Sequence, residues 1–343
     1  MTPRFKSRRL ASAFCVSMAV LACVSTTPAL AQEKPGGAAV ELIVPFGAGG
    51  GADRLAREST KLLDGVLPTS ITVTNIPGAT GNTGLARLIA APSDGNTMAV
   101  LTADTFSLLA YLNPGWKMND IVPLAIMMKQ PSALFLPENS RFKSWADFEK
   151  EARLRPDTLR VAITGLGSPD YLTLQQLAAK GIRLSPVPLS NPEERYRAAG
   201  EGKADALYEQ QGDVQRLIDA KQLRPVLVFS NARFANFKDV PTSQELGLGN
   251  ASNQFRAIVV KAGTDPVKIR LMSDSLDKVA AMPQYKSYLE KESAIKDGYV
   301  PAKDAAAFMQ GELDAMKKIV ESLPFHARYI IQEAEFERYV EPF

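Results

Sequence analysis

Residues 40–54 read Val40-Glu41-Leu42-Ile43-Val44-Pro45-Phe46-Gly47-Ala48-Gly49-Gly50-Gly51-Ala52-Asp53-Arg54, and the pattern they set recurs along the chain. Leu42, Ile43 and Val44 form a short apolar run of the kind carried by a strand buried on both faces. The glycines that follow leave the backbone bare. From Ala52 the apolar residues recur at helical steps, through Leu55, Ala56, Leu62, Leu63 and Val66. Strand, bare turn and helix start together aim unpaired N–H groups and the positive end of a helix dipole at one point. That is an anion-binding geometry made without a cationic side chain. Glycines that merely reverse the chain give the same spelling, so one such turn leaves both readings open.

A second turn of the same design follows. Asn75-Ile76-Pro77-Gly78-Ala79-Thr80-Gly81-Asn82-Thr83-Gly84 comes after the strand-like Ile71-Thr72-Val73-Thr74 and leads into Leu85, Leu88 and Ile89 at helical spacing. At the ends of successive strands of one parallel sheet, the two turns meet at its carboxyl edge.

Residues 1–31 read as an export signal. Arg4, Lys6, Arg8 and Arg9 form a basic start, Leu10 to Val24 is mostly apolar, and Ala29-Leu30-Ala31 is an A-x-A cleavage site, so the mature chain is expected to begin at Gln32. Val20-Leu21-Ala22-Cys23 loosely matches a lipoprotein box, with a lipid anchor at Cys23, and Ser7-Arg8-Arg9 a twin-arginine signal; both are the weaker alternatives. Cleavage removes both cysteines, Cys15 and Cys23, leaving a disulfide-free exported protein large enough to rest on its own core. It also removes four of the 40 basic residues and none of the 37 acidic ones, so the formal charge falls from +3 to −1. Without basic runs, neither nucleic acid nor an anionic membrane is an expected partner.

Short apolar runs alternate with amphipathic segments almost to the end, the pattern of an α/β protein. Strands are expected at Thr97 to Thr102, Ile121 to Met128, Ser132 to Leu136, Leu159 to Ile163, Ser185 to Leu189, Ala204 to Tyr208, Arg224 to Phe229 and Phe255 to Val260. Helices are expected over Ala103 to Leu112, after the N-cap Ser144, after Ser168-Pro169, after Asn191-Pro192 and from Asp265-Pro266 to about Ala281. Asp239-Val240-Pro241-Thr242 reads as a loop ending in a helix cap. The last helix, Ala302 to Leu323, carries Ala306, Met309, Leu313, Met316, Val320 and Leu323 on one stripe.

The chemistry that is missing narrows the function. The sole histidine is His326, far from the glycine turns, and the mature chain has no cysteine. Histidine triads, thiol nucleophiles, zinc sites and haem attachment therefore find no support, and no metal or cofactor is expected. No G-x-S-x-G elbow occurs. Gly47-Ala48-Gly49-Gly50-Gly51-Ala52 does satisfy the dinucleotide fingerprint, but the next strand ends Thr74-Asn75-Ile76-Pro77 without the ribose-binding acid. A nucleotide-dependent enzyme is the weakest reading.

Taken in order, Ile43-Val44-Pro45-Phe46, Gly49 to Asp53, Asn75 to Gly84, Ala91-Pro92-Ser93-Asp94-Gly95, Gly165-Leu166-Gly167-Ser168, Asp239 to Gly247 and Lys261-Ala262-Gly263-Thr264 resemble the Bug-type receptors of tripartite tricarboxylate transporters. The resemblance spans about residues 40–323. It implies a two-lobed periplasmic binding protein of type II with a hinge, not an enzyme. Such a receptor holds a small carboxylated molecule between its lobes and serves a membrane permease, or alternatively a sensor subunit. The implied ligand-binding set is Phe46, Gly49, Gly50 and Asp53 on the first turn and Gly78, Ala79, Gly81 and Asn82 on the second. Thr102, and Gly165, Gly167 and Ser168 on the opposing lobe, complete it. A carboxylate in the first helical turn suits the dipole better than it suits an anion, so Asp53 reads more as a support than as a contact.

Two departures from the family stand out. Where it often has a tyrosine, a basic residue and glycine, this chain has Val187-Pro188-Leu189-Ser190-Asn191-Pro192, which implies a ligand whose far end differs from, or is smaller or less acidic than, a dicarboxylate. Residues 324–343 extend past the usual end. Lobe one is expected over 38–135 plus 256–323, and lobe two over 136–255.

Overall fold

The computed structural model describes residues 39–249 and 254–323. The signal segment 1–31, with its Cys23 alternative, His326 and the extension 324–343 lie outside the described residues.

The first sheet contains β1 (Val40–Val44), β2 (Ile71–Asn75), β3 (Thr97–Thr102), β4 (Ile121–Gln130), β10 (Gln254–Lys261) and β11 (Val300–Pro301), in the order β11-β4-β10-β3-β1-β2. Strand β1 runs parallel to both β2 and β3, while β10 is antiparallel to β3 and β4. The turns after β1 and β2 therefore emerge side by side at one edge, as the sequence pattern requires. The apolar run Leu42-Ile43-Val44 is fully buried, with Leu42 and Val44 in the core on one face and Ile43 in the core on the other. Each such side chain contributes about 1.5–3 kcal/mol of burial.

The second sheet contains β5 (Ser132–Pro137), β6 (Arg160–Ile163), β7 (Ser185–Pro188), β8 (Ala206–Gln210) and β9 (Leu223–Phe229), in the order β7-β6-β8-β5-β9. It repeats the plan of the first: three parallel strands, then one antiparallel strand that follows a crossing from the other sheet. The chain changes sheet between Gln130 and Ser132, and β5 belongs wholly to the second sheet. A lobe boundary at 135 would thus cut through a strand, and Pro131 is the better dividing point. The return crossing delivers β10 at Gln254.

Helices cover both sheets. The first lobe carries α1 (Gly51–Leu63), α2 (Asn82–Ala90), α3 (Ala103–Ser107), α8 (Pro266–Ala281) and α9 (Pro283–Lys291). The second carries α4 (Trp145–Leu154), α5 (Pro169–Ala179), α6 (Pro192–Ala198) and α7 (Gln211–Asp219). Ser144, Ser168, Asn191 and Asp265 each cap the following helix through the side chain. The cap expected at Thr242 forms, with Thr242 and Glu245 exchanging hydrogen bonds of 2.9 and 3.1 Å, but no helix follows, because the chain turns at Gly247.

The final helix, α10 (Ala302–Ser322), does not belong to lobe one alone. Ala305, Met309, Leu313 and Met316 pack into the first lobe's core, whereas Val320 and the following Leu323 enter the core of the second. It is a strut across the hinge.

Candidate functional site

The turn after β1 is held from within. Asp53 Oδ2 accepts the Gly49 N–H at 3.0 Å, Oδ1 accepts Asn75 Nδ2 at 3.0 Å, and Arg57 Nε donates to both oxygens at 3.0 Å. Burial pushes this carboxyl up, but Arg57, Gly49 and Asn75 outweigh it and hold it below the usual range. Asn75 Nδ2 also donates to the Phe46 carbonyl at 3.0 Å, tying the end of β2 to the first turn. Asp53 therefore spends its acceptors on the loop, the supporting role that its place in the first helical turn suggested.

The turn after β2 runs through four consecutive positive φ angles: Gly78 (140°), Ala79 (46°), Thr80 (52°) and Gly81 (89°). Such a run is costly for Ala79 and Thr80 and persists only where its surroundings fix it. Thr105 Oγ1 donates to the Thr80 carbonyl at 3.0 Å, and a Cβ at Gly81 would overlap that same hydroxyl. Asn82 faces inward instead of toward the cleft. Its Nδ2 donates to the Pro114 carbonyl at 3.0 Å and its Oδ1 accepts the Trp116 indole N–H at 2.8 Å. Its side chain is thus committed to lobe one, against the expectation that it contacts ligand.

The opposing turn, 164–168, is pressed directly against lobe one. Ser107 Oγ donates to the Gly167 carbonyl at 2.9 Å, a Cβ at Gly167 would overlap the Tyr111 hydroxyl, and a Cβ at Gly165 would lie 2.7 Å from Thr80 Oγ1. Ser168 caps α5 and donates to the Gly165 carbonyl at 2.8 Å, so its hydroxyl also serves the loop.

Between the lobes lies a cavity of about 30 Å³, shared evenly. Lobe one contributes Phe46, Gly50, Gly51, Ala52, Thr102, Asp104 and Arg256; lobe two contributes Thr164, Pro192, Arg195, Tyr196, Glu209, Gln210 and Asp213. The space suits about one water molecule, so a larger guest requires the lobes to part. A groove of about 410 Å³, with Ala48 and Gly49 on one wall and Glu193, Arg197 and Arg216 on the other, shares Tyr196 and Asp213 with the cavity and forms its mouth. Roomier hollows exist, one of about 630 Å³ between residues 229–236 and 290–295 and one of about 440 Å³ on the outside of lobe two. Neither touches a glycine turn of the candidate set, so the smaller cavity, where buried charge and bare backbone converge, is the candidate site.

Of the expected residues, the structure brings Phe46, Gly50 and Thr102 to the cavity and Gly49 to its mouth. Gly78, Ala79, Gly81 and Asn82, with Gly165, Gly167 and Ser168, do not line it. Gly165 and Gly167 instead form the neighbouring contact between lobes. The glycine turns read as an anion-binding geometry made without a cationic side chain. The cavity overturns this, because Arg195 from α6 and Arg256 from β10 both line it.

Each of these arginines is buried and paired. Arg195 Nε meets Glu209 Oε2 at 3.0 Å and its Nη1 donates to the Leu189 carbonyl at 2.8 Å. Arg256 Nη2 meets Asp213 Oδ2 at 2.7 Å and its Nη1 donates to Gln130 Oε1 at 2.6 Å. Asp213 also takes Arg54 Nη2 at 2.6 Å, and that arginine reaches Glu292 at 2.7 Å. Burial pushes Asp213 up, but Arg256 and Arg54 outweigh it and keep the group a carboxylate. Gly51 is required beneath this network, because a Cβ there would overlap the Arg256 guanidinium and sit 2.5 Å from Asp213 Oδ1. Asp104 and Glu209 behave oppositely. Burial, with neighbouring Asp170, pushes Asp104 up to about 7, and burial pushes Glu209 up to about 8 despite Arg195.

Two of these residues had a sequence signal. Arg256 interrupts the apolar strand 255–260, and Arg195 falls on the buried stripe of α6 between Pro192 and Ala198. A cation at either place is costly unless paired, which marks it for a buried network.

The chain matches the model of the "Tripartite tricarboxylate transporter family receptor" over residues 55–325. It belongs to that family. Protein BugT of Bordetella pertussis is 25% identical over 253 residues, covering 70% of this chain and 75% of that protein. A solved R. palustris protein with adipate superposes with a TM-score of 0.77 at 23% identity, covering 82% of this chain and 96% of the other. A Rhodopseudomonas palustris protein with bound malate gives 0.75 at 22% identity, covering 82% and 98%. These likenesses carry the two-lobed fold. Among the described residues no helix is long and apolar enough to cross a membrane.

Proposed function

We propose that this receptor works outside the cytoplasm, captures a small carboxylated solute between its lobes and passes it to a membrane permease. The observation that carries the proposal is the cavity itself, where the first turn of α1, with its orphan N–H groups, faces buried polar side chains from both lobes. The adipate- and malate-bound proteins of the same fold support carboxylates as the ligand class. Export rests on the signal pattern of residues 1–31, and an intact mass beginning at Gln32 in the exported fraction tests it; a diacylated species beginning at Cys23 contradicts it.

Binding is tested by thermal shift against mono- and dicarboxylates, amino acids and amides. A ligand that binds only the folded chain at a hundredfold excess over Kd adds about 2.7 kcal/mol. At least one compound should raise Tm clearly. Chemical conversion of that compound by the purified chain would overturn the receptor reading.

A further inference from the structure

Two acids at the cavity are left without a pairing arginine. Arg195 lies 3.0 Å from Glu209 and Arg256 lies 2.7 Å from Asp213, so each cavity arginine already has a carboxyl partner. Asp104 and Asp170 have no ion-pair partner among the described residues. Asp104 lines the cavity, and its Oδ1 accepts only an amide hydrogen bond, from Gln254 Nε2 at 2.9 Å. Asp170 is 1% exposed. Its Oδ2 accepts the backbone N–H of the cavity-lining Thr164 at 2.9 Å, and its Oδ1 is buried with no hydrogen-bond partner. A buried carboxyl oxygen left without a donor is expensive, and native interiors rarely keep one without a role. The two acids lie close enough that Asp170 raises the pKa of Asp104. Across the lobe interface, Thr80 Oγ1 is a further buried hydroxyl without a partner.

Resting on the receptor reading above, we propose that the solute carries a protonated amine as well as a carboxylate, and that Asp104 and Asp170 receive the amine. An ammonium supplies three donors and one positive charge, which is what two acids without a direct ion-pair partner and an orphan oxygen lack. The carboxylate of the same molecule then lies toward the first turn of α1, at Gly50 to Ala52, where orphan N–H groups and the helix dipole favour it. A plain dicarboxylate meets a different setting: its second carboxylate would face two acids, with both cavity arginines already engaged by partners of their own.

Calorimetric titration at pH 7.4 with pairs of equal length tests this: γ-aminobutyrate against succinate, and glutamate against glutarate. The amine-bearing member of a pair should bind at least tenfold tighter. In Asp104→Asn/Asp170→Asn that preference should shrink at least tenfold while the dicarboxylate binds as well as before or better, because amides keep the shape and remove the charge. If the double variant loses its native circular dichroism, the wild-type ranking alone decides. Tighter binding of the dicarboxylates by wild type overturns the inference and leaves the receptor reading intact. An unchanged preference in the folded variant also overturns it. Saturable binding of neither set overturns both.

Discussion

At the scale of single residues, Asp104 and Glu209 hold protons that the unfolded chain gives up. Their ordinary values are 3.8 and 4.5, and burial raises them to about 7 and about 8 in the folded chain. The folded state therefore binds more protons than the unfolded one across this window, and stability falls as pH rises from about 4 to about 8. Asp53 and Asp213 are lowered, so their contribution is present above their ordinary 3.8 and lost as pH drops below it. Thermal melts in non-carboxylate buffers should show a maximum near pH 4–5 and a declining limb toward pH 8, shallower in Asp104→Asn. A flat profile from pH 5 to 8 would mean that the folded chain carries these acids ionised. The glycines make a second, steric prediction. A Cβ at Gly50 would come 2.9 Å from Pro192 Cγ on the other lobe, whereas Gly81 has a φ of 89° and faces Thr105 within its own lobe. Gly50→Val should leave Tm near wild type but weaken binding at least tenfold by blocking closure. Gly81→Val should instead lose about 1–3 kcal/mol of stability through its strained backbone. Calorimetry and thermal melts separate the two; full-strength binding by Gly50→Val would show that closure does not bring these residues together.

At the scale of elements, α10 performs two jobs with one stripe. Met316 lies in the core of the first lobe and Leu323, just past the helix end, in that of the second. Met316→Ala and Leu323→Ala should each cost about 2–5 kcal/mol, but hydrogen exchange should rise around β4 in the first and around α5 in the second. Exchange confined to the first lobe in both variants would contradict the strut. The stripe itself was plain from the sequence, because steps of three and four are a local property. That its end crosses to the other lobe was not, since an apolar residue does not record which core it joins. The same limit explains the site. Strand, bare turn and helix at 40–63 and 71–90 could be read from local pattern, and so could the supporting role of Asp53. Arg195 and Glu209 of lobe two meet Asp104 of lobe one only through the pairing of lobes, which no local spacing encodes. The break at Pro131 was displaced for a related reason: the strands on either side are both apolar, and only their pairing assigns them to different sheets.

At the scale of the whole molecule, the lobes are fastened to each other by charge. Arg54 and Arg256 come from lobe one, and Asp213, only 3% exposed, comes from lobe two and takes both. The network lies beside the crossings: Gln254, two residues before Arg256, pairs in register with Gln130, and Gln130 Nε2 donates to the Glu292 carbonyl at 2.5 Å. With the lobes together Asp213 and Glu292 balance Arg54 and Arg256; with them apart, water can solvate each. Removing one partner of a buried pair costs about 3–5 kcal/mol because the other charge is stranded. In Asp213→Asn that cost falls on the closed arrangement, since Arg256 stays buried there and becomes hydrated when the lobes separate. The variant should therefore scatter X-rays as a more extended particle, retain native circular dichroism, and bind its solute at least tenfold more weakly, mainly through faster release. Salt should matter little in wild type, because a buried pair is screened far less than a surface one. An unchanged scattering profile together with an unchanged Kd would show that apolar packing and the Ser107–Gly167 contact hold the lobes without help from Asp213.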